Sequence, residues 1–305
     1  MDFRAPLHCL ALLVIGCNWL EVTDSPASRK PVVIAHRGAS ATAPEHTVSA
    51  YDRGIAAGAD YLELDVQRTK DGVLVVVHDL TLNRTARGSS ADCTGLLGEK
   101  TIAQIEICDM GAWFNSTYPS LARAEFVGLR VPRLVDVLAR YGATTRLYIE
   151  TKDPDSYPGV EADIVAALHQ HGISATSSDV PRVFVQSFSK ASLLRVRALD
   201  PTIPLVQVFA AMDPAAIVAQ LSDVRSYAAA IGVWKQDVTP ALVESAHSRC
   251  LLVHAYVSDD QPEMQSLLAM GVDGIFTGDP DQLRDAIDRG ADTRAEERGC
   301  TVVAL

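Results

Sequence analysis

The 305-residue sequence has no surplus of positive charge: 27 Lys and Arg stand against 38 Asp and Glu, a formal net charge of −11. That excludes the basic surface a nucleic-acid backbone rewards, and an anionic small molecule would need a local island of Arg, Lys or metal. No Gly-x-Gly-x-x-Gly follows the first strand-like run, which argues against a dinucleotide site. No Cys-x-x-Cys motif or Cys/His cluster points to zinc. The apolar run at 7–20 is about 14 residues, short of a comfortable bilayer span.

What is present suits a globular chain with a sizeable core: 48% hydrophobic and 21% charged residues, in one large or two ordinary domains. The run at 7–20 follows Arg4, itself offset by Asp2, and fits the apolar segment of an export signal. Val14-Ile15-Gly16-Cys17 resembles the lipobox at which bacterial lipoproteins are cut and lipidated; a plain secretory signal cut near Ser25 to Ser28 is the other reading. Either predicts export, to the periplasm, to a membrane through lipidated Cys17, or outside the cell, with residues 1–30 outside the fold. An oxidising compartment makes disulfides an expectation for Cys93, Cys108, Cys250 and Cys300. Of the three pairings, Cys93–Cys108, which closes a short loop, is preferred, leaving Cys250–Cys300 to tie down the tail.

From 31 to 290, strand-like apolar runs alternate with helix-like stretches. The runs are 32–36, 61–66, 73–77, 146–150, 182–186, 204–209, 229–233, 251–257 and 273–277. Helix patterns occupy 47–57, 134–141, 160–171, 190–198, 214–221, 240–247, 262–270 and 280–288. Asp213-Pro214, Thr239-Pro240 and Asp279-Pro280 each set a capping side chain before a proline at the first helical position. Alternation at this spacing predicts parallel βα units, and so an α/β fold: an irregular (β/α)8 TIM barrel. An open doubly wound sheet is the alternative. Nine runs are one too many for eight strands. Lys70-Asp71-Gly72 leaves room for a turn but no helix, and the weak run 229–233 is the one expected to drop out. Residues 84–131, after the third strand, form a small insertion expected to cap the strand ends, and 291–305 is a tail.

Titratable residues repeatedly terminate these runs. His36 and Arg37 follow the first, and His78 follows the third. Histidine exchanges protons near neutrality, and arginine offers a fork to phosphate oxygens. Gly38 allows a sharp turn after them. Glu63 and Asp65 alternate with Leu62, Leu64 and Val66, so both carboxylates share one strand face. Two like charges on one face need a cation or a shared proton, and Glu150 at another strand end makes an oxygen-rich site for a hard divalent ion. Lys152, two residues on, can set an ammonium beside it.

The ordered motifs HRG (36–38), PEHT (44–47), ELD (63–65), DG (71–72), VVVHD (75–79), YIETK (148–152), VQSF (185–188) and GVDGIFTGDPD (271–281) resemble the glycerophosphodiester phosphodiesterase family over about 31–289. The resemblance implies an irregular (β/α)8 barrel and metal-dependent cleavage of a glycerophosphodiester to glycerol 3-phosphate and an alcohol. It implies His36 and His78 as the acid/base pair. It implies Arg37, Lys152 and Glu45 at the phosphate, and Glu63, Asp65 and Glu150 around one divalent cation, Ca²⁺ preferred and Mg²⁺ the other choice. The attacking oxygen is the substrate's own glycerol hydroxyl or a water. His46 replaces the asparagine of many members and is read as structural. Tyr256 replaces a late tryptophan, and Thr277-Gly278-Asp279 displaces a late Thr-Asp by one residue.

Two competing readings remain. One is a related phospholipase D-like barrel acting on lysophospholipid or sphingolipid headgroups, with an apolar groove built by Trp113 and Phe114. The other is a non-catalytic surface binding protein.

Overall fold

The computed structural model describes residues 30–173 and 180–290. The leader, Cys17, the tail and the Cys250–Cys300 pairing lie outside the described residues.

The strands are β1 (Val32–Ala35), β2 (Tyr61–Arg68), β3 (Leu74–Val76), β4 (Arg146–Thr151), β5 (Val183–Ser187), β6 (Leu205–Val208), β7 (Ala230–Trp234), β8 (Leu252–Tyr256) and β9 (Gly274–Thr277). Eight of them, all but β3, pair in parallel, and β1 bonds both β2 and β9 to close the barrel. The helices between them pack outside on Leu62, Leu64, Val66, Leu147, Ile149, Val183 and Val185. The alternate residues point inward, because successive side chains of a strand face opposite ways. Deep inside the barrel, Ile34, Tyr61, Tyr148, Phe184, Val206, Ala230 and Phe276 fill the lumen. Nearer the C-terminal end the inward positions turn polar: Asp65, Glu150 and Gln186 are matched in register across β2, β4 and β5.

The strand outside the barrel is therefore 73–77, and 229–233 is a full member. The weak strand propensity of its alanines and glycine is overridden by packing. Ala230 faces a lumen already filled by rings, and a Cβ on Gly232 would come within 3.3 Å of Val208. β3 instead folds back antiparallel on the outer half of β2 through the Lys70-Asp71-Gly72 turn, where Gly72 takes φ +88°. This hairpin returns the chain to the barrel mouth: the Val77 N–H donates to the Asp65 carbonyl at 3.0 Å, which sets His78 beside β2.

Helix bounds follow the capping chemistry. Asp213 accepts from the Ala215 N–H at 2.8 Å, Thr239 from Leu242 at 3.2 Å, and Asp279 from Gln282 at 3.3 Å. The stretch 214–221 is two short helices, Pro214–Val218 and Leu221–Arg225, rather than one. Among the described residues no helix is long and apolar enough to cross a membrane.

Residues 84–131 carry short helices at Ile102–Ile105 and Ala112–Thr117 and are joined by the Cys93–Cys108 disulfide. Closing a loop of this length removes roughly 3 kcal/mol of unfolded-state entropy. Leu82, Leu97, Ile105, Cys93 and Cys108 form a small core with Val75 and Val77 of the hairpin. Trp113, Phe114 and Phe126 pack on Ala43 and Ala50 of the segment after β1. Trp113 and Phe114, expected to build an apolar groove, are 6% and 0% exposed: Phe114 is spent on anchoring the insertion, and Trp113 anchors it while one edge reaches a polar cavity.

One buried polar pair lies within the lumen. Tyr148 Oη meets His254 Nδ1 at 2.8 Å, and burial holds that histidine down to about 4. An unfolded chain would protonate it near 6.5. Between those values the unfolded state binds the extra proton, so acidification through that window costs the fold up to about 3 kcal/mol, none of it above the unfolded value. Urea unfolding at a series of pH values should therefore show a shallower acid-side loss in His254→Gln. An unchanged slope would remove His254 as its cause.

Candidate active site

The mouth at the C-terminal strand ends gathers every residue singled out from the sequence for the site. The turn after β1 builds the first part. Arg37 takes φ +60° and His46 φ +51°, a left-handed region that costs side-chain-bearing residues of order 1 kcal/mol each. The two strained residues hold one another, as the His46 N–H donates to the Arg37 carbonyl at 3.0 Å. Gly38 (φ +82°) has its missing Cβ 2.6 Å from the Ala50 backbone, so only glycine fits. The result aims the Arg37 N–H at Glu63 Oε2 (2.9 Å) and its guanidinium at Glu45 (3.1 Å) and Asp65 (3.6 Å).

Glu63, Asp65 and Glu150 are all buried. Lys152 reaches Glu150 at 3.1 Å and Asp65 at 3.5 Å, and its ammonium is stabilised by both against its own burial. Burial pushes Asp65 up, but Lys152 and the His46 hydrogen bond hold it well below the usual carboxylate range. Glu63 goes the other way: burial and then the charges of Asp65 and Glu150 push it well above. Burial, followed by Asp65, lifts Glu150 to about 7. The three carboxylates outnumber the two cations that touch them, Arg37 and Lys152.

His46, Glu63 and Asp65 bring one potential ligand atom each within 4.8 Å of one another. His46 Nε2 lies 2.8 Å from Asp65 Oδ2, and Nδ1 lies 3.0 Å from Tyr51 Oη. An ionised carboxylate only accepts, so Nε2 carries the hydrogen and Nδ1 accepts from the Tyr51 hydroxyl. In that tautomer the ring fixes Asp65, and the carboxylate oxygens of Glu63 and Asp65 suit a hard divalent cation. Gln186 places its amide 3.5 Å from both Glu63 Oε1 and Glu150 Oε2. Sequence reasoning missed Gln186 as a site residue, although an inward polar residue in Val185-Gln186-Ser187-Phe188 was the available signal.

The histidines differ in their support. His78 Nδ1 donates to Asp79 at 2.7 Å, leaving Nε2 for chemistry. Arg84 clamps Asp79 at 2.6 and 3.0 Å and Glu45 at 2.7 and 2.8 Å, so a continuous chain runs from His78 through Asp79, Arg84 and Glu45 to Arg37. Against burial, Arg84 and His78 draw Asp79 down to about 2. Burial lowers His78, and burial with the Arg37 charge lowers His36 well below the ordinary value, each opposed by Asp65. Arg84 had no sequence signal beyond opening the insertion. Against burial, Arg84 and Arg37 hold the Glu45 carboxyl below its ordinary value. At the opposite rim Tyr256 packs edge-on against Trp234 and Phe188, with centroids 5.7 and 6.3 Å apart.

Buried carboxylates, two cations and two histidines gathered at one barrel mouth match the needs of phosphate-ester chemistry. The sequence profile of the Glycerophosphoryl diester phosphodiesterase family matches residues 36–282. A glycerophosphodiester phosphodiesterase of Bacillus subtilis (strain 168) is 39% identical over 283 residues, covering 89% of this chain and 95% of its own. A glycerophosphodiester phosphodiesterase of Caldanaerobacter subterraneus subsp. tengcongensis is 32% identical, with 86% and 99% covered. Among solved structures, an Oleispira antarctica phosphodiesterase in complex with the product sn-glycerol-3-phosphate superposes with a TM-score of 0.71 at 27% identity, over 85% of this chain and 97% of that one. The arrangement of the barrel mouth and these likenesses agree: the chain belongs to the glycerophosphoryl diester phosphodiesterase family.

Proposed function

We propose that this protein hydrolyses glycerophosphodiesters to glycerol 3-phosphate and an alcohol, with His36 and His78 moving the proton and Glu63, Asp65 and Glu150 holding one divalent cation. The observation that carries this reading is the cation-poor carboxylate cluster set directly beside Arg37, Lys152 and both histidines. Family likeness supplies the substrate class, since the Oleispira relative holds glycerol 3-phosphate as its product.

Bound there, a Ca²⁺ or Mg²⁺ ion would supply charge to a phosphate oxygen. Arg37 neutralises a second phosphate oxygen, and Glu45 and Asp65 fix its guanidinium. Lys152 directs its ammonium toward the same anion. The arriving negative charge raises both histidines, so that one can hold a proton while the other stays neutral. One then takes the proton from the attacking hydroxyl, either the glycerol's own or that of a water. The other gives a proton to the departing alcohol; after attack by the glycerol hydroxyl, water opens the cyclic phosphate with the roles reversed, whereas attack by water completes hydrolysis in one step. The Cys93–Cys108 disulfide supports export, because structural disulfides persist in oxidising compartments.

The test is metal removal. Chelated protein should lose glycerol 3-phosphate release from glycerophosphodiesters, and Ca²⁺ or Mg²⁺ should restore it. Full activity after complete metal removal would overturn the carboxylate assignment.

A further inference from the structure

Next to the Arg84–Asp79 pair that supports His78 lies a cavity of ≈ 700 Å³, walled by the segment after β1, the residues around Arg84, the stretch from Trp113 to Tyr118 and Asp259 after β8. That is within the ordinary small-molecule range of ~300–1,000 Å³ and larger than a glyceryl arm requires. Glu45 and Arg84 of the histidine-supporting chain line it. We infer that this cavity receives the departing alcohol and selects an uncharged, hydroxyl-rich one, such as a glyceryl or inositol group, over choline. The inference rests on the phosphodiesterase reading above and specifies its substrate.

Two observations carry it. The first is charge and ring geometry. A quaternary ammonium is recognised by open aromatic faces. Here the Arg84 guanidinium already lies over Trp113, 5.6 Å from the ring centroid. Tyr118 packs against Phe114 at 4.8 Å and Trp113 at 6.5 Å. The four charged residues lining the cavity, Glu45 and Asp259 against Arg84 and Arg87, sum to zero. A cationic headgroup would meet an arginine over the ring it needs and no net attraction.

The second is the supply of hydrogen-bonding groups. Asp259 Oδ1 accepts from Thr277 Oγ1 and the Gly278 N–H, at 3.0 and 2.6 Å, while Oδ2 has no protein partner among the described residues. Asn83 spends only its Oδ1, on the Gly95 N–H at 2.8 Å, and keeps its amide donors. Arg87 uses Nη1 on the Arg84 and Ala86 carbonyls and keeps its other donors. The Tyr118 hydroxyl can do both. Donors and acceptors thus alternate around a neutral space, the complement of a group whose every hydroxyl both gives and accepts. Choline's ammonium can do neither.

Steady-state kinetics on glycerophosphoglycerol and glycerophosphocholine test this. The kcat/KM for glycerophosphoglycerol should exceed that for glycerophosphocholine by about tenfold or more, the worth of two or three added hydrogen bonds. Tyr118→Phe, which keeps the ring and its packing, and Arg87→Gln should each narrow that ratio severalfold. Equal values, a preference for choline, or a ratio unmoved in both variants would overturn the cavity's role while leaving the phosphodiesterase reading intact. Hydrolysis of neither diester would overturn both.

Discussion

His36→Ala and His78→Ala should each lower kcat by roughly a hundredfold or more, the usual worth of a positioned proton carrier. The two losses have different structural grounds. The His78 ring is oriented by Asp79, which Arg84 holds with both nitrogens of a fork. His36 is placed by backbone alone: its N–H donates to the Thr277 carbonyl at 2.8 Å, and its carbonyl accepts from the Ser40 hydroxyl at 2.7 Å. The His78 imidazole is 30% exposed, so alanine there should leave the unfolding midpoint nearly unchanged, whereas loss of the more deeply set His36 ring should lower it. Measuring kcat beside thermal unfolding separates chemistry from stability. Near-wild-type turnover in either folded variant would remove that histidine from the proton-transfer pair.

Glu63→Gln should show the opposite signs in stability and activity. Glu63 is 1% exposed and lies among carboxylates that push its proton affinity well above normal. An isosteric neutral amide removes that repulsion, so the metal-free variant should be more stable than the metal-free parent, by on the order of 1 kcal/mol or more. The same change removes a negative oxygen from the proposed cation site, so turnover should fall by ~10²–10³-fold. Added Ca²⁺ should raise the parent's stability by about 2.7 kcal/mol at a hundred times its dissociation constant and raise the variant's much less. A variant that is less stable without metal, or that is stabilised equally by it, would show Glu63 to be a structural acid.

The sequence by itself determined the parts whose cause is local. Alternation on β2 placed Glu63 and Asp65 on one inward face and Leu62, Leu64 and Val66 on the other, because a strand has no other way to arrange them. Capping residues ahead of prolines marked three helix starts for the same reason. Gly38 and the Lys70-Asp71-Gly72 turn were likewise readable from backbone freedom. The ordered motifs around those strand ends were enough to point to the family.

Only the tertiary structure decided the rest. Whether 73–77 or 229–233 joins the barrel depends on what fills the lumen beside it, not on either run's propensity. Trp113 and Phe114 could line a groove or anchor a cap; packing against Ala43 and Ala50 makes both anchors, and Trp113 also borders the cavity beside Arg84. His46, Gln186 and Arg84 gained their places through contacts with residues 19, 36 or 123, and 39 positions away, respectively. No periodicity carries such information, because a hydrogen bond between distant segments exists only after the barrel has closed and brought its strand ends to one mouth.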